Sequence, residues 1–227
     1  MQRALQRSGR ERDADVAREA LLDAASEVFA RDGFSGGRMD DIARVAGYNK
    51  ALIFHYFGDK LGLYRALMSR TKASIFARFN AAFELVSGDG DESVSAHQIR
   101  TFTAECLRVL FDFYIAHPQA ARIVAWEAAE GWQTFAHCAP PTPENWSERT
   151  LSLLERAQRS GVVRVDLDPQ LLFTTVMSLP LIHVISLTRF QMMFPNADFT
   201  SPEALTHARE QLTELVLRGT LIQPEEA

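Results

Sequence analysis

Between Asp15 and Asp32 apolar residues return at Ala17, Leu21, Ala24 and Val28, at spacings of i, i+4, i+7 and i+11. That period lines them along one stripe of a helix. Gly33 closes the run, and Ser35-Gly36-Gly37 turns the chain. Two short amphipathic segments follow. Met39 to Ala46 carries Ile42, Val45 and Ala46 on one side, and Lys50 to Tyr56 forms the second, with Ile53 and Phe57 spaced i, i+4 to pack inward. Gly47 can take the left-handed backbone that ends the first helix. Ala43 leaves room for close approach, and the Asn49 side chain can cap the second helix. Lys50, Ala51 and Phe54 then point outward with His55 beside them. Two short helices joined by so tight a turn form a helix-turn-helix, which lays its second helix in a DNA major groove. Eight helical residues span about 12 Å, which fits a groove about 12 Å wide.

Helical spacing continues to the end of the chain. Asp59 can cap a fourth helix, opened by Lys60 and carried by Leu63, Leu67, Ile75 and Phe79 to about Val86. Ser87 to Asp91 reads as a loop. Further helices are predicted over Ala96–Ala116, from Pro118 to about Trp132, and from about Pro143 to Ser160, with a loop over His137–Pro143. Asp168-Pro169 starts a long helix that Phe194-Pro195-Asn196 interrupts, and Ser201-Pro202 starts the last, ending near Gly219. No strand pattern competes. The chain reads as all-α: a helix-turn-helix head over 14–61 and a larger helical body over 62–227. Residues 1–13, with Arg3, Arg7, Arg10 and Arg12, read as a flexible basic arm able to reach a phosphate or the minor groove.

The most apolar stretch, Leu171 to Phe190, contains Pro180, His183 and several Ser and Thr. A buried helix kinked by Pro180 fits it better than a membrane span. A polar opening without a signal segment and two cysteines without metal spacing, Cys106 and Cys138, point to a cytoplasmic protein with free thiols. The net charge of −5 is unevenly spread: residues 1–70 hold 12 Lys+Arg against 10 Asp+Glu, the rest 12 against 19. A mildly basic head on an acidic body orients the head toward DNA.

Phe29, Gly33, Phe34, Asp41-Ile42-Ala43, Ala46-Gly47, the segment Asn49 to Phe57 and Asp59-Lys60 together resemble the N-terminal domain of the tetracycline-repressor (TetR) family, over residues 14 to 65. The remainder is similar only in style. The turn departs from the family pattern: Tyr48 and Asn49 replace a small aliphatic and a Ser, and Phe54 stands where a Tyr is common, losing one phosphate donor. The resemblance implies a DNA-binding head followed by a ligand-binding and dimerising body.

Lys50 can reach a guanine edge or a phosphate, Asn49 an adenine edge, and Ala51 and Phe54 thymine methyls. Arg38, His55, Tyr56 and Lys60 are cast as phosphate contacts, which position without reading sequence. One such unit reads few base pairs, so a homodimer on a pseudo-palindromic double-stranded operator is expected. Leu181, Val184 and Ile185, with Leu212, Leu215 and Val216, form apolar stripes on the last two long helices, which by resemblance build the dimer interface. Phe102, Cys106, Phe113, Trp126, Glu127, Trp132, Phe173, Met177 and His183 are soft or polar side chains that together could line a pocket for a small-molecule effector of unknown identity, or simply fill the core.

No metal spacing, serine elbow or phosphate loop is present, so neither an enzyme nor a cofactor is predicted. The expected function is a transcriptional regulator, in the first instance a repressor released by its effector. The alternatives are a ligand-independent architectural DNA-binding protein and a helical interaction module without DNA binding.

Overall fold

The computed structural model describes residues 2–86, 93–138 and 146–222, with side chains from residue 12 onward. The predicted loop over 87–91, the expected helix start at Pro143, and the Arg3, Arg7 and Arg10 side chains lie outside the described residues. Eleven helices make up the described chain: α1 (Gln2–Gly36), α2 (Met39–Ala46), α3 (Lys50–Phe57), α4 (Lys60–Glu84), α5 (Ala96–Ala116), α6 (Pro118–Ala129), α7 (Gln133–Cys138), α8 (Trp146–Arg159), α9 (Pro169–Ile185), α10 (Leu187–Met193) and α11 (Pro202–Thr220). Among the described residues the β-structure is one isolated bridge, Val163 with Leu221. The all-α class holds.

The chain divides into two compact units: residues 1–73 with 118–140, and residues 74–117 with 141–227. The first is called the head and the second the body. The head is therefore larger than the expected span of 14–61. Its core joins Leu21, Leu22, Val28 and Phe29 of α1 to Ile42 of α2, Ile53 of α3, and Leu63, Tyr64 and Leu67 of α4. Ile123 of α6 and Cys138 of α7 belong to the same cluster. Burying these side chains contributes about 1.5–3 kcal/mol each, which recruits α6 and α7 to the head. In the body, α5 packs on α8, α9 and α11.

Local chemistry sets most boundaries. Ser95 and Gln98 form a reciprocal capping box at α5. Asp168 accepts from Gln170 N and Leu171 N to start α9, and Ser201 accepts from Ala204 N to start α11, each with a first-turn proline. Four segments differ from expectation, the first being the loop predicted over His137–Pro143, whose first two residues, His137 and Cys138, are the end of α7. Helical backbone in α1 continues back to Gln2 in place of a flexible arm over 1–13; apart from Gly9 the segment is rich in residues that favour helix. The helix expected to reach Trp132 stops at Ala129, because Gly131 and Trp132 both take positive φ, and α7 follows. The long apolar helix breaks at Ser186, with a 58° bend between α9 and α10, while Pro180 lies inside α9.

That apolar helix is also not buried: Pro180 is the single buried residue of α9. Leu171, Ile182 and Ile185 stand 64%, 56% and 41% exposed. Among the described residues no single helix is long and apolar enough to cross a membrane. Both cysteines are free and buried.

His183, on the same helix, sits between the rings of Phe111 (5.7 Å) and Phe190 (5.6 Å), and its Nε2 is buried without a hydrogen-bond partner. Burial lowers its pKa from the usual 6.5. The folded form then resists protonation while the unfolded chain accepts it, so stability falls as pH drops through the unfolded value. Thermal melts at about pH 7.5 and about pH 5.5 should show a loss that His183→Leu reduces. Identical pH slopes for the two proteins would remove His183 from this account.

Candidate nucleic-acid interface

The helix-turn-helix forms as its sequence requires. Gly47 adopts φ 72° and ψ 20°, and its N–H returns to carbonyls of Ala43 and Arg44, ending α2. Asn49 Oδ1 accepts from Leu52 N at 2.8 Å, which caps α3. Ile42 and Ile53 are fully buried between the helices, with Ala43 at 7% exposure where they approach. The opposite side of α3 is open: Asn49, Lys50, Ala51, Phe54 and His55 are all exposed, as is Tyr48 in the turn. Phe54 presents 45% of its surface to solvent, unusual for a side chain with no polar group. A short helix with a cation and an apolar ring on its outer face has the size and chemistry to enter a major groove.

The turn from α3 to α4 brings the two helices close together. Asp59 Oδ1 accepts from Gly62 N at 2.6 Å and opens α4. A Cβ at Gly62 would lie 2.0 Å from the Phe57 carbonyl oxygen. Only glycine lets the end of α3 lie this close to α4. Gly62→Ala forces backbone to move and should destabilise the head by about 1–3 kcal/mol. It should also weaken DNA binding beyond that loss, because α3 is displaced. A variant with unchanged melting and duplex affinity would refute this contact.

Two expected DNA contacts, Lys50 and Lys60, are already engaged within the head. Lys50 Nζ pairs with Asp40 Oδ2 of α2 at 3.0 Å. Lys60 is half-buried: its Nζ donates to Ser35 O at 3.2 Å and lies 4.7 Å above the Phe34 ring. Burial lowers the Lys60 pKa, with nearby Glu130 acting against it. Lys60 thus ties α4 to the end of α1 instead of standing free as a phosphate anchor. Arg38 is exposed at the N-cap of α2, with its side chain uninvolved in capping.

Tyr56 is half-buried. It lines an open cleft of about 670 Å³ with Arg18, Phe57, Arg65, Ser69 and Arg70. Sequence reasoning missed the cations of this cleft, because they come from α1 and α4 and carry no local motif. Arg70 is held by Glu19 at 2.9 Å and Asp23 at 2.8 Å, and Arg18 by Glu19 at 3.3 Å. Asp40 was also missed: it is ten residues before Lys50, and only the helix-turn-helix fold brings them together.

The expected effector residues do not gather in one place. Phe102, Cys106, Phe173 and Met177 line a crevice in the body with Trp146, Thr150 and Leu154, but its volume is about 20 Å³. That holds no more than a water molecule. Phe113 is buried beside Tyr114 and His117, and His183 lies against Phe111 and Phe190, as described above. Trp126, Glu127 and Trp132 belong to the head instead. Trp126 Nε1 donates to Ala30 O at 3.3 Å. Glu127, 1% exposed, accepts from the Tyr64 hydroxyl at 2.5 Å and from Phe135 N at 3.0 Å. Both its oxygens are used, so it is a structural tie of α6 to α4 and α7. Burial first, and Glu127 second, push the Tyr64 pKa well above the ordinary value. Among the described residues no group of three or more His, Cys, Asp and Glu is placed to hold a metal ion.

Comparison with known proteins agrees with this geometry. Residues 21–67 match the family of bacterial regulatory proteins, tetR family. The chain is 31% identical over 118 residues to the HTH-type transcriptional repressor NicS of Pseudomonas putida, a match covering 52% of this chain and 51% of that one. The chain thus spans about half of that relative's length. It is 26% identical over 166 residues to the HTH-type transcriptional repressor SCO4008 of Streptomyces coelicolor, covering 73% and 77%. In fold it is similar to the ketosteroid transcriptional regulator KstR2 of Mycobacterium tuberculosis, with TM-score 0.65 and 18% identity, covering 91% of this chain and 95% of that one. Residues 103–216, half of the chain, match the tetracyclin repressor-like C-terminal domain; with a helix-turn-helix head and this body, the protein belongs to the TetR family of regulators.

Proposed function

We propose that this chain is a sequence-specific transcriptional repressor, cytoplasmic and homodimeric, that leaves a pseudo-palindromic operator when a small molecule binds. The observation that carries the reading is the open outer face of α3, with Lys50, Ala51 and Phe54 exposed on a helix whose inner face is fixed by Ile53. The names of NicS and SCO4008 support repression. An effector acts here only through its differential affinity for the DNA-competent and incompetent forms. Such coupling is typically about 1–3 kcal/mol, or roughly 5–150-fold in operator affinity.

The dimer reading is supported by the uncovered apolar surface of α9 and by Leu215 on α11, 67% exposed. The two helices contact each other, and exposed apolar side chains gathered on neighbouring helices favour an interaction site. Leu181, Val184, Leu212 and Val216, on the same two helices, are partly covered within the chain. Light scattering should give about twice the chain mass of 25.5 kDa, and Leu215→Glu should lower it toward one chain. A mass of one chain for the wild type at micromolar concentration would end the dimer reading.

The function itself is tested by titrating the duplex upstream of the protein's own coding sequence against a scrambled duplex at two salt concentrations. A preference for the upstream duplex, with affinity falling steeply as salt rises, is expected. Equal affinity for both duplexes would favour an architectural binder, and no binding to either a helical interaction module.

A further inference from the structure

The body carries a cleft between the end of α4 and one face of α8, quite apart from the crevice at Cys106. Its volume is about 360 Å³, and Phe83, Val86, Glu148, Arg149, Ser152, Leu153 and Arg156 line it. Arg149, Ser152 and Arg156 are spaced i, i+3 and i+7, so they share one side of α8. The Arg149 guanidinium lies 4.4 Å above the Phe83 ring. Arg156 Nε is buried and has no hydrogen-bond partner. A buried donor left unmade is costly, and such a donor in a cleft is an unfilled position for an acceptor. Among the described residues neither arginine has a carboxylate within ion-pair distance, in contrast to Arg108, Arg164, Arg209 and Arg218 of the same unit.

We infer that this cleft binds a small organic anion, with a carboxylate or phosphate on Arg149 and Arg156 and an apolar or aromatic part against Phe83, Val86 and Leu153. Two guanidiniums outweigh the single carboxylate of the lining, Glu148. Arginine forks match carboxylate and phosphate oxygens in pairs, which suits either head group. Ser152 supplies a hydroxyl between them. The apolar floor is firm, because Phe83 packs against Phe102 at 4.7 Å and Trp146 at 6.1 Å. The volume lies within the usual range for small-molecule sites. The crevice at Cys106, by contrast, admits no effector without opening. The inference deepens the ligand-responsive reading by naming the effector's chemical class and rests on that reading for its role. The site itself is tested without DNA, so its failure is separable from failure at the operator.

Calorimetric titration of the full chain with phenylacetate and with phenyl phosphate tests it, with benzyl alcohol and inorganic phosphate as comparisons. At least one of the two organic anions should bind saturably, and which binds more tightly identifies the preferred head group. Benzyl alcohol and inorganic phosphate should each bind more weakly. Arg156→Met and Arg149→Met should each weaken the anion by about tenfold or more, since each removes a charge-assisted bond. Arg149 is exposed, so its variant keeps the test valid if Arg156→Met fails to fold. Glu148→Gln should tighten binding. The proposal is overturned if neither organic anion saturates up to about 10 mM, if benzyl alcohol or inorganic phosphate binds as tightly as its organic-anion counterpart, or if the arginine variants bind like the wild type.

Discussion

Glu127→Ala should lower the stability of the head by about 3–5 kcal/mol, more than any other single change considered for this chain. The carboxylate is 1% exposed and accepts from Tyr64 on α4 and from the backbone of Phe135 on α7. Removing it leaves a buried hydroxyl and a partly buried N–H without partners and opens a void among α4, α6 and α7. For a chain of this size about 1 kcal/mol corresponds to roughly 2–4 °C in melting temperature, so a fall of roughly 10 °C is expected. Glu127→Gln keeps an acceptor for one donor and should cost less. Tyr64→Phe in the Glu127→Ala background should cost less than in the wild type, because the two groups share one bond. Melting curves by circular dichroism measure all three. A loss below about 1 kcal/mol for Glu127→Ala would show that water replaces the carboxylate without penalty.

Lys50→Ala should have the largest effect on operator affinity, about tenfold or more for each recognition helix, and about the square of that for two helices bound together. Its neighbour gives the opposite result. Asp40 holds Lys50 in an exposed ion pair, and such pairs contribute only about 0–1 kcal/mol. A phosphate can displace it, yet the carboxylate still opposes DNA wherever the rest of the fit is poor. Asp40→Asn should therefore raise affinity for random duplex more than for the operator, lowering the ratio between them. Anisotropy titrations on both duplexes measure the ratio. If Lys50→Ala leaves operator affinity within twofold, about 0.4 kcal/mol, this face is not the reading surface.

Short-range chemistry was the legible part of this protein. The ends of α2 and α3 follow from Gly47 and Asn49, and the starts of α9 and α11 from Asp168 and Ser201. Each of these acts within four residues, so sequence shows it directly. The outward face of α3 was readable for the same reason, since helical spacing fixes which side chains lie opposite Ile53. Partnerships across the fold were not. Lys50 with Asp40, Lys60 with Ser35 and Glu127 with Tyr64 join residues 10, 25 and 63 positions apart. Nothing in composition or periodicity ranks such pairs. Glu127 is one such case: in sequence a lone acidic residue among apolar ones looks the same whether it faces a ligand or a tyrosine, and the fold gives it Tyr64. The apolar run over α9 was misread as buried because periodicity reports hydrophobicity and not what covers it.

Methylation protection by dimethyl sulfate on the bound operator duplex tests the central claim most directly, because the reagent attacks guanine N7 in the major groove. The account predicts protected guanines in two groups about 34 Å apart, one for each copy of α3, with protection lost in Lys50→Ala. A duplex that is bound yet leaves every major-groove guanine reactive would contradict it.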